Sequence, residues 1–441
     1  NGVGGTVYTL ADTDSGSTAS ITELYPWVGS YNGTQDINFG QKPFKFPPPD
    51  GYQPLNAANA RPVKVISRSD QYFGVITYVG AGATKTFTGL NFGDIPDVVW
   101  MKNKDRTSYG DGTSAHHYLY DTVRGTGTGK MLTPSTNEAE GSKSTEADLD
   151  GFVRDGFRLD AASGTDCINN SGDDFIAWCW KAGGNKGTFN VDDVGYASAS
   201  AAGITDGTIA LTGASVGTKQ GFSILKYTGS GSNGTIAHGL SQAPDFFFGR
   251  DLEDTGGSRD WIVYHKTMGN TGRLKFVGNA SISESSTFFQ NTSPTNSLIS
   301  VGTSNDINST NDYVLYCWHN ITGLQKFGGY TGNGSDDGPF VETGFRPALI
   351  WTRAYSSNSN NNSHWLIYDT TINPSNESSE NLYINLPNAV STHPSMGIDI
   401  LSNGFRLKAD TAGYSNYNGW SYIYCAWAEA PSIDLYGGGA N

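Results

Sequence analysis

Tyr330-Thr331-Gly332-Asn333-Gly334-Ser335 opens a pattern that the chain carries three times. The same turn is written Thr77-Tyr78-Val79-Gly80-Ala81-Gly82 and Tyr227-Thr228-Gly229-Ser230-Gly231. A proline follows each leading tyrosine by 17 or 18 residues and begins a short apolar run: Pro96-Asp97-Val98-Val99-Trp100, Pro244-Asp245-Phe246-Phe247-Phe248 and Pro347-Ala348-Leu349-Ile350-Trp351. A second run comes next, at Tyr118-Leu119-Tyr120-Asp121, Trp261-Ile262-Val263-Tyr264-His265 and Trp365-Leu366-Ile367-Tyr368-Asp369. A cysteine-bearing run closes each unit: Trp178-Cys179-Trp180, Tyr316-Cys317-Trp318 and Tyr424-Cys425-Ala426-Trp427. Units one and three also share Asp155-Gly156-Phe157-Arg158-Leu159 and Asn403-Gly404-Phe405-Arg406-Leu407. So many ordered matches mark an internal repeat, each copy one supersecondary unit.

Short aromatic and β-branched runs between Gly, Asn, Asp and Ser clusters read as strands and turns. No segment carries the apolar stripe of an amphipathic helix; Glu138–Asp150 has charge without one. Each unit of about 100 residues therefore reads as a β-sandwich, and the chain as all-β. The leading tyrosines are 149 and then 103 residues apart. The excess falls in residues 184–220, a Gly/Ala/Ser/Thr/Asp-rich stretch expected to be a linker or an extra hairpin. The predicted organisation is residues 62–183 as repeat one, 221–322 as repeat two and 323–441 as repeat three. The last two adjoin through Gly323-Leu324-Gln325-Lys326-Phe327 and are expected to pack together.

Composition limits the function. The 441 residues hold 57 glycines but only 16% charged residues, with 28 Lys+Arg against 42 Asp+Glu and a net charge of −14. A nucleic-acid binder needs a basic footprint, which this balance opposes. No run of 18 apolar residues is present, so no helical membrane insertion is expected. The glycines have no period of three, which excludes collagen. The chain opens NGVGGTVYTL without a charged-then-apolar leader and reads as a processed product or part of something longer.

Residues 1–61 differ in character. Asp36-Ile37-Asn38-Phe39-Gly40-Gln41-Lys42-Pro43-Phe44 leads into Phe46-Pro47-Pro48-Pro49-Asp50-Gly51-Tyr52 and Leu55-Asn56. This resembles the closing strands of a SPRY domain, a β-sandwich recognition module, or else serves as an attachment segment. Together with the Tyr-x-Gly-x-Gly units it is similar to an uncharacterised family of bacteriophage structural proteins. The matching segments are Gly329–Gly338, Gly344-Phe345-Arg346-Pro347-Ala348, Leu401–Leu407 and Tyr422-Ile423-Tyr424-Cys425-Ala426-Trp427-Ala428-Glu429-Ala430-Pro431. The resemblance implies tandem concanavalin-like or jelly-roll β-sandwiches in a virion component such as a tail fibre, head fibre or capsid decoration protein. It implies other virion proteins as partners and a homo-oligomer, a trimer in most fibres. It brings no catalytic residues.

The chemistry-bearing residues fit a non-enzyme. Gly125-Thr126-Gly127-Thr128-Gly129-Lys130 resembles a phosphate loop by composition alone, with Met131 where Ser or Thr is needed. The E-x-D-x-x-E strand of concanavalin-like glycosidases is absent, as is a G-x-S-x-G elbow. His116-His117 precedes its strand at the level where His364 precedes Trp365, so these histidines are expected in exposed loops at one sandwich end, where His116, His117 and His364 are candidates for a metal or receptor contact. His265 occupies the slot of Asp121 and Asp369, which argues against a shared catalytic role there. Tyr109, Tyr355, Tyr414 and Tyr417 lie in Gly/Asn/Ser-rich loops that a core does not require, and are binding candidates for sugar rings. Asp173-Asp174 and Asp336-Asp337 are acidic turns that could offer oxygens to Ca²⁺, although neither forms a full calcium loop and no other cofactor is expected. The three recurrent cysteines read as buried apolar groups at one matching place, with Cys167–Cys179 the only conceivable pair. The expected protein is a virion component in the extracellular space, with host surface glycans as candidate contacts. The other readings are a secreted carbohydrate-binding or adhesin module and a polysaccharide-degrading tail enzyme.

Overall fold

The computed structural model describes residues 65–430 apart from 110–111, 128, 142–147, 162–167, 357–362 and 409–413, and the backbone of a hairpin pairing Ser432–Ile433 with Gly439–Ala440. The SPRY-like segment and Cys167 lie outside the described residues. Residues 62–441 form one compact unit.

Each repeat builds the same antiparallel inner sheet. In repeat one the order is Phe73–Val79, Asp174–Trp180, Val98–Asn103, His117–Asp121. Repeat two repeats it with Phe222–Thr228, Asp312–Trp318, Phe246–Asp251 and Ile262–His265; repeat three with Gln325–Thr331, Ser421–Ala428, Pro347–Ser356 and Leu366–Asp369. The closing strand always lies between the opening strand and the proline-led strand. A smaller sheet covers one face of each inner sheet: Lys85–Thr88, Gly156–Leu159 and Leu149–Val153 in repeat one, Gly234–Ala237 and Leu298–Val301 in repeat two, and Phe340–Glu342, Gly404–Leu407 and Ile398–Leu401 in repeat three. The result is three β-sandwich lobes, each with its own core. Helix is confined to single turns, and no helix among the described residues is long and apolar enough to cross a membrane.

Residues 184–220 are more than a linker. They contain a hairpin of Phe189–Val191 and Val194–Tyr196 and a strand, Leu211–Gly217, that pairs with Phe222–Thr228. Together with Gly272–Lys275 and Ser283–Glu284 at the other edge, these strands extend the inner sheet of repeat two to nine strands.

The repeat motif has a clear physical basis. Tyr78, Tyr227 and Tyr330 donate their hydroxyls to the carbonyls of Ile168, Ile307 and Ser415 at 2.6–2.8 Å. The first glycine of each motif lies against backbone: a Cβ on Gly80, Gly229 or Gly332 would sit 2.0–2.3 Å from a carbonyl oxygen. The second has positive φ, at +64° for Gly82, +67° for Gly231 and +66° for Gly334, a conformation in which a side chain is strained. Buried Asn169, Asn308 and Asn416 complete each corner by accepting the N–H of Ala81, Ser230 and Asn333.

The second face of every inner sheet turns inward, where all three meet in one shared core. Val98–Asn103 and Phe246–Asp251 are buried at every position, because alternate residues enter different cores: Val98 and Trp100 the shared one, Val99 and Met101 that of repeat one. The pairing registers make Trp180, Trp318 and Trp427 equivalent. Their rings form a closed triangle with centroids 6.3, 5.4 and 6.2 Å apart and interplanar angles of 69–75°, edge against face as the aromatic quadrupole favours. Trp100, Phe248 and Trp351, also equivalent, form a second triangle at 5.1–6.5 Å. The lobes are thus arranged in approximate threefold fashion about an aromatic axis. The packing expected of repeats two and three thus takes in repeat one as well, and none of the three inner sheets could leave without exposing tryptophan.

Candidate functional site

The buried polar residues are engaged in joining the lobes. The inward residue at or just before the start of the strand that follows the proline-led one reaches the preceding lobe in every repeat: His117 Nε2 contacts the Tyr383 carbonyl at 2.8 Å, Trp261 Nε1 donates to those of Thr133 and Thr136 at 3.3 and 3.0 Å, and Trp365 Nε1 donates to that of Lys275 at 2.7 Å. His117 Nδ1 accepts from Trp100 Nε1 at 3.0 Å, so its proton resides on Nε2. Burial holds its pKa well below the usual histidine value, and the Lys102 charge adds to this. The expectation of exposed histidines is therefore corrected for His117, which is fully buried. His116, half-buried, bonds Ser135 Oγ through Nδ1 at 2.9 Å.

The last residue of the same strand reaches the next lobe. Asp121 accepts the N–H of Val123 on Oδ1 and the Tyr316 hydroxyl on Oδ2 at 2.6 Å. Asp369 accepts the N–H of Thr371 on Oδ1 and Trp178 Nε1 on Oδ2, both at 2.7 Å. His265 accepts the N–H of Thr267 on Nδ1 and faces the Tyr424 carbonyl with Nε2, both at 3.2 Å. One slot holds acid or base because each side chain caps its own turn with one atom and latches the neighbouring lobe with the other. In the register, Tyr316 and Trp178 correspond to Cys425, which supplies no comparable donor. Only a carbonyl remains to be met there, and histidine supplies the N–H.

The register also corrects the cysteine reading. Cys179 and Cys317 are equivalent and enter the lobe cores, whereas Cys425 is one residue out of step and enters the shared core. All three are free and buried, and burial pushes their thiols far up, which keeps them unreactive.

The loop candidates divide sharply. Tyr109 is buried in repeat one, where its hydroxyl accepts from Asn103 Nδ2 at 2.8 Å and Arg106 covers its ring; it is a packing residue, contrary to expectation. Tyr355 is half-buried against the shared core. His364 and Tyr414 do come together, stacked at 5.5 Å and 17°, with Asn385 Nδ2 2.7 Å from His364 Nδ1. Both are half-buried, and burial lowers the His364 pKa. Asp173 is buried beneath Arg106 Nε at 2.7 Å and Asn103 Nδ2 at 2.9 Å. Burial pushes its carboxyl up, yet these donors and Asn170 together hold it below the ordinary value. Asp174 and Asp336 are exposed, and exposed Asp337 pairs with Arg406 at 2.9 Å. Among the described residues no three His, Cys, Asp or Glu side chains are grouped to hold a metal.

Tyr417 alone of the tyrosine candidates is exposed. It sits in the turn that follows the corner residue Asn416, with Trp420 beside it at 4.7 Å and 43°. Composition of the loop pointed to Tyr417. Trp420 immediately precedes a strand of core aromatics, Ser421–Ala428, and in the sequence is not separable from them.

No curated protein matches the sequence. The matched family segment, residues 68–431, runs from just before the first inner strand to just after the last, and with this match over most of its length the chain belongs to the family described as Domain of unknown function (DUF7483).

Proposed function

We propose that this chain is a non-enzymatic structural protein of a phage virion, displayed on the particle exterior as a fibre or decoration component among other virion proteins and its own copies, with surface loops available to host glycans. The observation that carries this reading is the use of the buried ionisable groups as lobe-to-lobe fastenings. Asp121, Asp369, His117 and His265 each commit a polar atom to a neighbouring lobe. A hydrolase needs convergent groups held open to a substrate; a display scaffold needs rigidity, which three sheets closed on an aromatic core supply. The acidic balance of −14 keeps such a surface soluble and disfavours nucleic acid.

The test is quantitative mass spectrometry of density-purified virions. The expected result is the chain at a fixed copy number relative to the major capsid protein across preparations. Its absence from virions, with recovery as a free secreted protein, would favour the adhesin reading. Degradation of capsular polysaccharide by the pure protein would overturn the non-enzymatic one.

A further inference from the structure

We infer that the Tyr417–Trp420 turn of repeat three is a glycan-binding platform for neutral, uncharged polysaccharide chains; this rests on the display reading above and locates the contact. The three repeats supply an internal control. The corner built on Asn169, Asn308 and Asn416 recurs in each, and in repeats two and three the backbone N–H of Ser309 and Tyr417 also donates to the hydroxyls of Tyr313 and Tyr422 at 2.8 and 2.9 Å. Beyond the corner, repeat one continues Asn170-Ser171-Gly172-Asp173-Asp174 and repeat two Ser309-Thr310-Asn311-Asp312, while repeat three continues Tyr417-Asn418-Gly419-Trp420-Ser421. Two repeats close this turn with small and polar residues, so the fold does not require the aromatic pair.

The placement of tryptophan points the same way. Trp100, Trp178, Trp180, Trp261, Trp318, Trp351, Trp365 and Trp427 are at most 2% exposed and line the shared core. Trp420 is the exception among the described residues: it is half-buried at a loop tip, outside that core. Tyr417 beside it is 40% exposed. A tilted aromatic pair offers π faces to the C–H surface of a sugar ring, and the exposed Asn418 side chain offers polar contacts to hydroxyls. Asp336 and Asp337 lie on the facing loop, where Gly334 packs against Asn418. Arg406 balances only Asp337, so the residual charge is negative and disfavours acidic sugars.

Saturation-transfer NMR on the full chain tests this, with maltohexaose, cellohexaose and a neutral galactomannan oligosaccharide as probes and hexagalacturonate as the anionic control. Transfer to at least one neutral oligosaccharide and none to hexagalacturonate is expected. Tyr417→Ala and Trp420→Ala should each weaken binding at least tenfold, with Tyr417→Phe retaining it and unfolding temperatures unchanged. Three outcomes would overturn the inference: no transfer from any neutral probe, binding unaffected by Tyr417→Ala with Trp420→Ala, or preference for hexagalacturonate. Each leaves the copy number on virions, and so the display reading, untouched.

Discussion

Lobes one and three meet through Asp369 and Trp178, lobes two and three through His265 and the Tyr424 carbonyl. Both junctions use the same slot of the same repeat, yet one fastening is an acceptor meeting a donor and the other a donor meeting an acceptor. The difference teaches that polarity at each junction is set by the partner strand: where Trp178 or Tyr316 brings an N–H or O–H, the slot is aspartate, and where Cys425 brings none, it is histidine. A sequence pattern that looks like tolerance of acid or base is pairwise matching across a buried interface.

The most damaging way to break this comparison is to make the slots alike. His265→Asp would set a carboxylate against the Tyr424 carbonyl and remove the donor that carbonyl receives. An unpaired buried charge of this kind costs about 3–5 kcal/mol. Urea unfolding at pH 8 should show a loss of that order. At pH 5 the loss should shrink, because a protonated carboxyl can donate to the carbonyl. Equal losses at the two pH values would mean that the donor–acceptor matching does not govern this junction.

The second test uses the titration of the histidine slot, opposite in sign to that of Asp369, whose carboxyl burial raises. Burial lowers the His265 pKa to about 4, from an ordinary value of 6.5. Between those values the unfolded chain binds a proton that the folded chain refuses, so stability falls as pH drops from 6.5 toward 4. His238, also lowered to about 4 by burial, acts in the same direction. Asp97 opposes them: burial raises its carboxyl to about 6, so the folded state takes up its proton first and gains stability as pH falls from 6 toward 3.8. His265→Asn keeps an acceptor for Thr267 and a donor for Tyr424 but cannot titrate. Its stability should decline less than that of the parent between pH 7 and pH 4, by on the order of 2–3 kcal/mol. Parallel pH profiles for parent and variant would refute the assignment.

The contrast also shows what could be read from residues alone. The Tyr-x-Gly-x-Gly corners were legible because the residues they require, a tyrosine, a glycine without room for a Cβ and a glycine with positive φ, fall within a few positions of one another, although their partners lie 80–90 residues on. The proline-led strands were legible for the same reason, and with them the all-β sandwich class. The shared core was not. Val98, Val99, Trp100 and Met101 are all apolar, so the usual two-residue alternation carries no information about which core each one enters. The one-residue shift of Cys425 was hidden by its aromatic neighbours and shows only in the pairing. Tyr109 and His117 misled because polar loops can be buried when their groups are bonded, and their partners Asn103 and Tyr383 are 6 and 266 residues away. Of the site, Tyr417 was visible as an aromatic without a strand, whereas the meaning of Trp420 depended on knowing that the other described tryptophans are in the core.

A third comparison concerns the cation that enters the shared interior from the proline-led strand. The register makes Arg250 and Arg353 equivalent, and both reach the preceding lobe at equivalent carbonyls, Arg250 that of Glu138 and Arg353 that of Ala280. Arg250 also meets the carbonyls of Asn137 and Arg259 and the Asp254 carboxylate. Arg353 has the Ala280 carbonyl at 2.7 Å, while its Nε and Nη1 have no partner, and burial lowers its pKa to about 9. A buried charge without a counter-ion contributes little or negatively to stability, and apolar replacement of such groups is neutral or favourable by about 1–4 kcal/mol. Arg353→Met loses one hydrogen bond, worth about 1 kcal/mol, against the removal of an unpaired guanidinium. The net gain should be small, about 1 kcal/mol, read as a higher urea midpoint at unchanged slope. The same change at Arg250 has the opposite sign, because it strands Asp254 and three carbonyls. If Arg353→Met is instead as damaging as Arg250→Met, the two junctions are held by their cations alike, and the unequal hydrogen bonding does not translate into unequal stability.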